Sequence, residues 1–133
     1  MKIVFDTNVI LSAFLTHGLS SRVLDVCIGL HEIFVSPWII NEVNKILITK
    51  FKIRETEQER VNTFISDEFK IISPSGILPK ICRDEDDNNI LHLAEFTKAE
   101  LIITGDKDLL TLEEYSGAYI ITPRQFMEEY LNK

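Results

Sequence analysis

Short apolar runs alternate along this chain with segments whose apolar residues recur at helical spacing. The first run, Ile3-Val4-Phe5, lacks the polar alternation of a half-exposed strand and predicts one buried on both faces. It leads directly into Asp6 and a helical segment through residues 8–15. A turn at His17-Gly18 precedes a helix over residues 22–28, with Ser20 or Ser21 as its cap and Gly29 at its end. Residues 32–35 read as a second strand, and Ser36-Pro37, a capping residue before a first-turn proline, opens a helix from about Trp38 to Thr49. Thr56 and Glu59 make a capping-box pattern before a helix whose Val61, Phe64, Ile65 and Glu68 share one face. A brief third strand at residues 70–72 gives way to a loop containing Pro74, Gly76 and Pro79. The acidic segment at residues 83–89 starts a helix continuing through Ile90, Leu91, Leu93 and Ala94. Residues 101–104 form a fourth strand ending at Gly105-Asp106, and residues 119–121 a fifth. Thr122-Pro123 opens a last helix carrying Phe126, Met127, Tyr130 and Leu131. Strands alternating with helices predict an α/β fold with a parallel sheet covered on both faces.

Composition narrows the class. A length of 133 residues with 45% hydrophobic content predicts one domain over residues 1–133 with a substantial core. The apolar stretches are short and broken by charge, and Met1 leads straight into a strand, so neither a membrane span nor a signal peptide is expected and a cytoplasmic location is. Cys27 and Cys82 lack paired spacing and neighbouring histidines, which reads as two reduced thiols rather than a zinc site. A net charge of -7 argues against a broad basic surface for nucleic acid. Residues 43–54, however, contain no acid while Lys45, Lys50, Lys52 and Arg54 accumulate. That segment is either a solvated helix end or a local track for a polyanion.

The carboxylates carry the candidate chemistry. Asp6 and Asp106 each follow a buried strand at its carboxyl end, the edge where open α/β sheets bind ligands; each is also placed to cap the helix behind it. Glu42 shares a helix face with Trp38, Ile39 and Ile46, where it needs either a salt-bridge partner or a function. Asp87 shares the inward face of Ile90, Leu91 and Ala94, whereas Asp84 and Asp86 are better placed as caps. If Asp6, Glu42, Asp87 and Asp106 meet, their repulsion calls for a cation or bound protons. Oxygen-only ligands suit Mg²⁺ or Mn²⁺, and such ions support hydrolysis of phosphodiesters. Asn8 and Thr104 are near enough to orient a ligating carboxylate, Asp108 is a further candidate ligand, and Lys107 stands where it could meet a phosphate. No phosphate-binding glycine loop or Ser-His-Asp set is present.

Asp6-Thr7-Asn8-Val9, Ser36-Pro37 with Glu42, Arg83-Asp84-Glu85-Asp86-Asp87-Asn88 and Thr104-Gly105-Asp106-Lys107-Asp108-Leu109-Leu110, in this order, together resemble a PIN domain. The likeness is to the branch of VapC-type toxins of toxin–antitoxin systems, and it spans essentially the whole chain. It implies a three-layer α/β/α fold, a sheet of about five strands in the order 3-2-1-4-5, Mg²⁺- or Mn²⁺-dependent ribonuclease activity, a separate antitoxin and often a homodimer. It also implies that Asp6, Glu42, Asp87 and Asp106 are the family's acidic residues, with Asp86 an alternative for the third. The reading is thus of a metal-dependent endoribonuclease that uses water as nucleophile and whose Lys45–Arg54 segment follows the RNA backbone. Its rival is a catalytically silent PIN fold serving as an interaction module for an antitoxin. A phosphoacceptor domain of the same α/β class would need a lysine at the end of the last strand, where Ile121-Thr122-Pro123 offers none.

Overall fold

Chain order runs β1 (Lys2–Phe5), α1 (Thr7–Leu15), α2 (Leu19–Leu30), β2 (Glu32–Val35), α3 (Pro37–Thr49), α4 (Glu55–Glu68), β3 (Lys70–Ile71), α5 (Glu85–Thr97), β4 (Leu101–Ile103), α6 (Lys107–Leu112), β5 (Glu114–Tyr115), β6 (Ala118–Ile121) and α7 (Pro123–Phe126), which passes into a π-helical turn (Met127–Leu131). The computed structural model describes residues 1–131, the last by its backbone alone, so the inward placement expected of the Leu131 side chain lies outside what is described. The strands form one sheet in the order β3-β2-β1-β4-β6-β5. All neighbours are parallel except the β5–β6 pair. With β6 as the fifth strand of the sequence pattern, the expected 3-2-1-4-5 order is present.

Successive strand residues point to opposite faces. Ile3, Val4 and Phe5 are all buried, and so are Leu101, Ile102 and Ile103, so helices must cover both faces of the central strands. Burial of one such side chain stabilises the fold by roughly 1.5–3 kcal/mol. Helix α5 packs on β1 and β2, α2 packs on α1, β2 and α7, and α3 lies against α1, α4 and α5. Cys27 is within this core, and burial pushes its thiol up to about 12. Among the described residues no single helix is long and apolar enough to cross a membrane.

Two helix starts match their sequence signals. The Ser36 Oγ accepts from the Ile39 N–H at 3.2 Å, with Pro37 in the first turn. Thr122 and Gln125 form a reciprocal capping box at 3.1 and 2.8 Å. Others differ. Helix α2 begins at Leu19 with Gly18 as its cap, not at Ser20 or Ser21, because the apolar face starts with Leu19. The Thr56–Glu59 box does not form, since α4 already starts at Glu55 behind Arg54, and Glu68 faces solvent rather than sharing the face of Ile65. Strand β5 was absent from the sequence pattern: it is two residues long, and a tight turn with positive φ at Ser116 (49°) and Gly117 (85°) folds it onto β6. In the final turn Phe126 is buried and Met127 half-buried, whereas Tyr130 is exposed but stacks on Phe126 at 5.3 Å.

Removing the Ser36 hydroxyl tests the α3 cap. Ser36→Ala should cost about 1 kcal/mol and lower Tm by about 4 °C, with Ser36→Gly costing only a few tenths; equal losses would mean that something other than the cap is at work.

Candidate active site

The pairing of β1 with β4 sets Phe5 opposite Ile103, so Asp6 and Thr104 leave the sheet side by side. Asp6 is 6% exposed, and its carboxylate does not cap α1: Oδ2 instead accepts from the Thr104 hydroxyl at 2.7 Å. The same Thr104 oxygen accepts from the Asp106 N–H at 2.9 Å. Thr104 therefore ties the turn carrying Asp106 to the carboxylate of Asp6. Asp106 does cap its helix, with Oδ1 accepting from the N–H groups of Asp108 and Leu109 at 2.8 and 3.2 Å. That use of one oxygen orients the other.

Helix α5 brings its N-terminal end to the same place. Asp84 is its cap, accepting from the Asp86 N–H at 2.9 Å. Asp87 turns inward, 5% exposed, while Asp86 is exposed and caps nothing. Asn88 beside it is buried and clamps the preceding loop: its Oδ1 accepts from the N–H groups of Ile81 and Cys82 at 3.1 and 2.8 Å, and its Nδ2 donates to the Cys82 carbonyl at 2.9 Å. Asn88 has no assigned role in the sequence pattern. Its signal was an amide one position from Asp87 on the buried side of an amphipathic helix.

Helix α3 supplies Glu42, half-buried and, among the described residues, without a salt bridge. The cavity of about 90 Å³ that results is lined by Asp6, Glu42, Asp87 and Asp106, together with Asp84, Asp86, Asn8 and Trp38. Asp108 lies to one side. One of its carboxylate oxygens falls within 4.8 Å of oxygens of Asp87 and Asp106. It is also held by the exposed Arg83 guanidinium through two 3.2 Å contacts. Lys107 is exposed and does not line the cavity. Of the basic segment, Lys45 sits close enough to Asp86 to oppose the rise in its pKa, and Lys50 lines a neighbouring groove. Lys52 and Arg54 are exposed in the turn beyond α3.

Burial and mutual repulsion dominate the electrostatics. The Asp6 carboxyl is raised above its usual range by burial, which the Thr104 hydrogen bond opposes and the Asp106 charge reinforces. Asp87 is pushed up to about 7 by burial, then by Asp106 and Asp6. Asp86, exposed overall, is raised by partial desolvation at the cavity rim, then by Asp84 and Glu42. Asp87 Oδ2 is the one fully buried side-chain oxygen among the described residues with no hydrogen-bond partner. An orphaned carboxylate oxygen costs several kcal/mol unless protonated or met by a cation. This orphan, in a set of oxygen-only donors, fits a hard divalent ion such as Mg²⁺ or Mn²⁺.

In the presence of a chelator, folded Asp87 binds its proton up to about pH 7, whereas the unfolded chain releases it near 3.8. The folded state therefore holds more protons in that window, and stability falls as pH rises through it. Between about pH 5 and about pH 7 the loss from this group should be about 2 kcal/mol. Asp87→Asn should flatten that slope and raise Tm at about pH 8; a variant that melts lower there would contradict the placement of a buried, unpaired carboxyl.

Comparison with known proteins gives the arrangement a family. An uncharacterized protein of Methanocaldococcus jannaschii is 34% identical over 144 residues, covering 98% of this chain and 92% of the relative. Among solved structures, VapBC2 from Rickettsia felis, bound to a DNA fragment from its promoter, contains a chain similar in fold at a TM-score of 0.70 and 18% identity, over 92% of this chain and 98% of that one. FitAcB from Neisseria gonorrhoeae contains another at a TM-score of 0.65 and 16% identity, again over 92% and 98%. Residues 2–108, from the first residue of β1 to the first turn of α6 with its cap Asp106, match the PIN domain, and the chain belongs to the PIN domain family.

Proposed function

We propose that this PIN domain is a metal-dependent endoribonuclease and the toxin of a toxin–antitoxin pair. The observation that carries the reading is the buried, unpartnered Asp87 Oδ2 in a cavity shared with Asp6, Glu42 and Asp106. Keeping repelling carboxylates together costs stability, and a fold with only an interaction role has no use for that cost. Similarity in fold to chains of VapBC2 and FitAcB supports an antitoxin partner.

Asp6, Glu42, Asp87 and Asp106 would hold the cation, with Asp108 or Asp86 as further candidates. When bound, a Mg²⁺ or Mn²⁺ ion supplies the charge that lowers the pKa of a water nucleophile and offsets charge on the transferring phosphoryl group. Thr104 fixes the orientation of Asp6 by donating to its Oδ2, and Asp6 lines the cavity. The caps at Asp84 and Asp106 hold the acidic ends of α5 and α6, and the Asn88 clamp keeps the loop before α5 in place. Hydrolysis with water as nucleophile and the 3′ oxygen as leaving group yields 5′-phosphate and 3′-hydroxyl ends. The positive segment from Lys45 to Arg54 offers local attraction for RNA that the overall charge of -7 does not.

Purified protein incubated with labelled single-stranded and structured RNAs should cleave with Mn²⁺ and not with EDTA. Asp6→Asn should reduce the rate by more than roughly 100-fold, the upper range for losing a group that merely supports a metal ligand, and Thr104→Val by roughly 10–100-fold. Asp6→Asn retaining full activity would refute the assignment. Mn²⁺ at about 100 times its Kd should stabilise the fold by about 2.7 kcal/mol, and Asp87→Asn should reduce that gain. No cleavage and no Mn²⁺-dependent rise in Tm would favour the interaction module.

A further inference from the structure

Beside the acidic cavity lies a second depression of about 340 Å³, walled by Leu11, Leu15, Ile46 and Phe51, with Asn8 and Lys50 among its polar members. The two share Asn8 and Ile46, so they abut across the start of α1 and the C-terminal half of α3. Phe51 is 52% exposed and, unlike the similarly exposed Phe96 and Tyr119, lines this groove together with Lys50. It follows Lys50 and precedes Lys52, inside the stretch of residues 43–54 that holds cations and no acids in a chain of charge -7. Lys45, Lys50, Lys52 and Arg54 are all exposed.

An aromatic face set among exposed cations matches the chemistry of a single-stranded polynucleotide, which offers a planar base to stack and a phosphate to neutralise at each step. The size agrees, since 340 Å³ is near the small end of the roughly 300–1,000 Å³ range of small-ligand sites, room for one planar group and its sugar. A docked amphipathic helix would need a longer groove with several anchors at helical spacing. We propose that this groove is a nucleobase subsite for single-stranded RNA: the base of a nucleotide flanking the scissile phosphate stacks on Phe51 while Lys50 meets its phosphate. The inference rests on the nuclease reading of the adjoining carboxylates and gives it a substrate class, RNA with an unpaired nucleotide beside the bond to be cut. A paired base, already stacked in a helix, cannot enter. Stacking is tolerant of base identity, so the subsite selects strandedness rather than sequence.

The test uses the full chain with an end-labelled oligouridine, the same oligomer with an abasic nucleotide beside the cleaved bond, and a duplex containing it. Stacking on an aromatic is worth about 1–3 kcal/mol per base, so Phe51→Ala should raise KM about tenfold for the oligouridine with kcat little changed, and Phe51→Trp should restore it. The abasic oligomer should cost the wild type a similar factor and cost Phe51→Ala nothing further; the duplex should be a poor substrate for all three proteins. Independently of cleavage, oligouridine in EDTA should quench the fluorescence of Phe51→Trp beyond the quenching of Trp38 alone in the wild type. A wild type that cleaves, with KM unmoved by Phe51→Ala and by the abasic nucleotide, overturns the subsite and leaves the nuclease standing. Quenching without cleavage removes the nuclease and with it the subsite as proposed, leaving a groove that binds nucleotides without a bond to cut. If oligouridine gives neither cleavage nor quenching while a model amphipathic helical peptide quenches the same tryptophan, the groove docks protein and the proposal fails.

Discussion

Two neighbouring parallel strands, buried on both faces, end in carboxylates that repel one another. Hydrophobic burial of Ile3–Phe5 and Leu101–Ile103 fixes β1 against β4, and that register leaves Asp6 and the turn bearing Asp106 little freedom to separate. Core packing therefore holds charge together against Coulomb's law. The cost is visible in the upward pKa shifts of Asp6 and Asp87, both led by desolvation.

The surrounding residues make the crowding tolerable by using backbone donors and one hydroxyl. The Thr104 hydroxyl donates a hydrogen bond to Asp6, and Asp106 and Asp84 accept N–H groups at the starts of α6 and α5, where the helix dipole also favours negative charge. Asp87 is the exception. Its Oδ2 receives no donor, although Asp87 lies in the first turn of α5, and it lines the cavity with Asp6 and Asp106. The local rules of capping and pairing are kept at the first three positions and broken at the fourth, which is where a functional demand is expected to appear.

The sequence made the central elements legible because their signals are strong and local. Consecutive Ile-Val-Phe and Leu-Ile-Ile runs leave few alternatives to buried strands, and Ser36-Pro37 and Thr122-Pro123 combine a capping side chain with a residue that cannot continue a helix backwards. Helical spacing also separated Asp87 from Asp86, and the structure buries the first and exposes the second. Weaker signals failed. Thr56 with Glu59 satisfies the capping-box pattern, but Glu55 is itself at home in a first turn and α4 takes it in. Strand β5 has no apolar run at all, and only the Ser116-Gly117 pair hinted at its hairpin. Thr104 was expected to orient a ligating carboxylate, and its hydroxyl donates to Asp6, 98 residues away, whereas nothing in the spacing showed that Asn88 would clamp the loop six and seven residues before it.

The clamp made by Asn88 also separates two kinds of chain. Between Ile72 and Lys80 the backbone has no regular structure, and Ile77 is 91% exposed. From Ile81 and Cys82 onward it is pinned to α5. Lengthening a surface loop costs little closure entropy, about 0.6 kcal/mol for each doubling. The segment around Ile77 is thus a place where the chain can accept inserted or exchanged residues, as an evolving lineage or an engineer adding a tag would require, while Asp84 and Asp87 keep their positions behind the clamp.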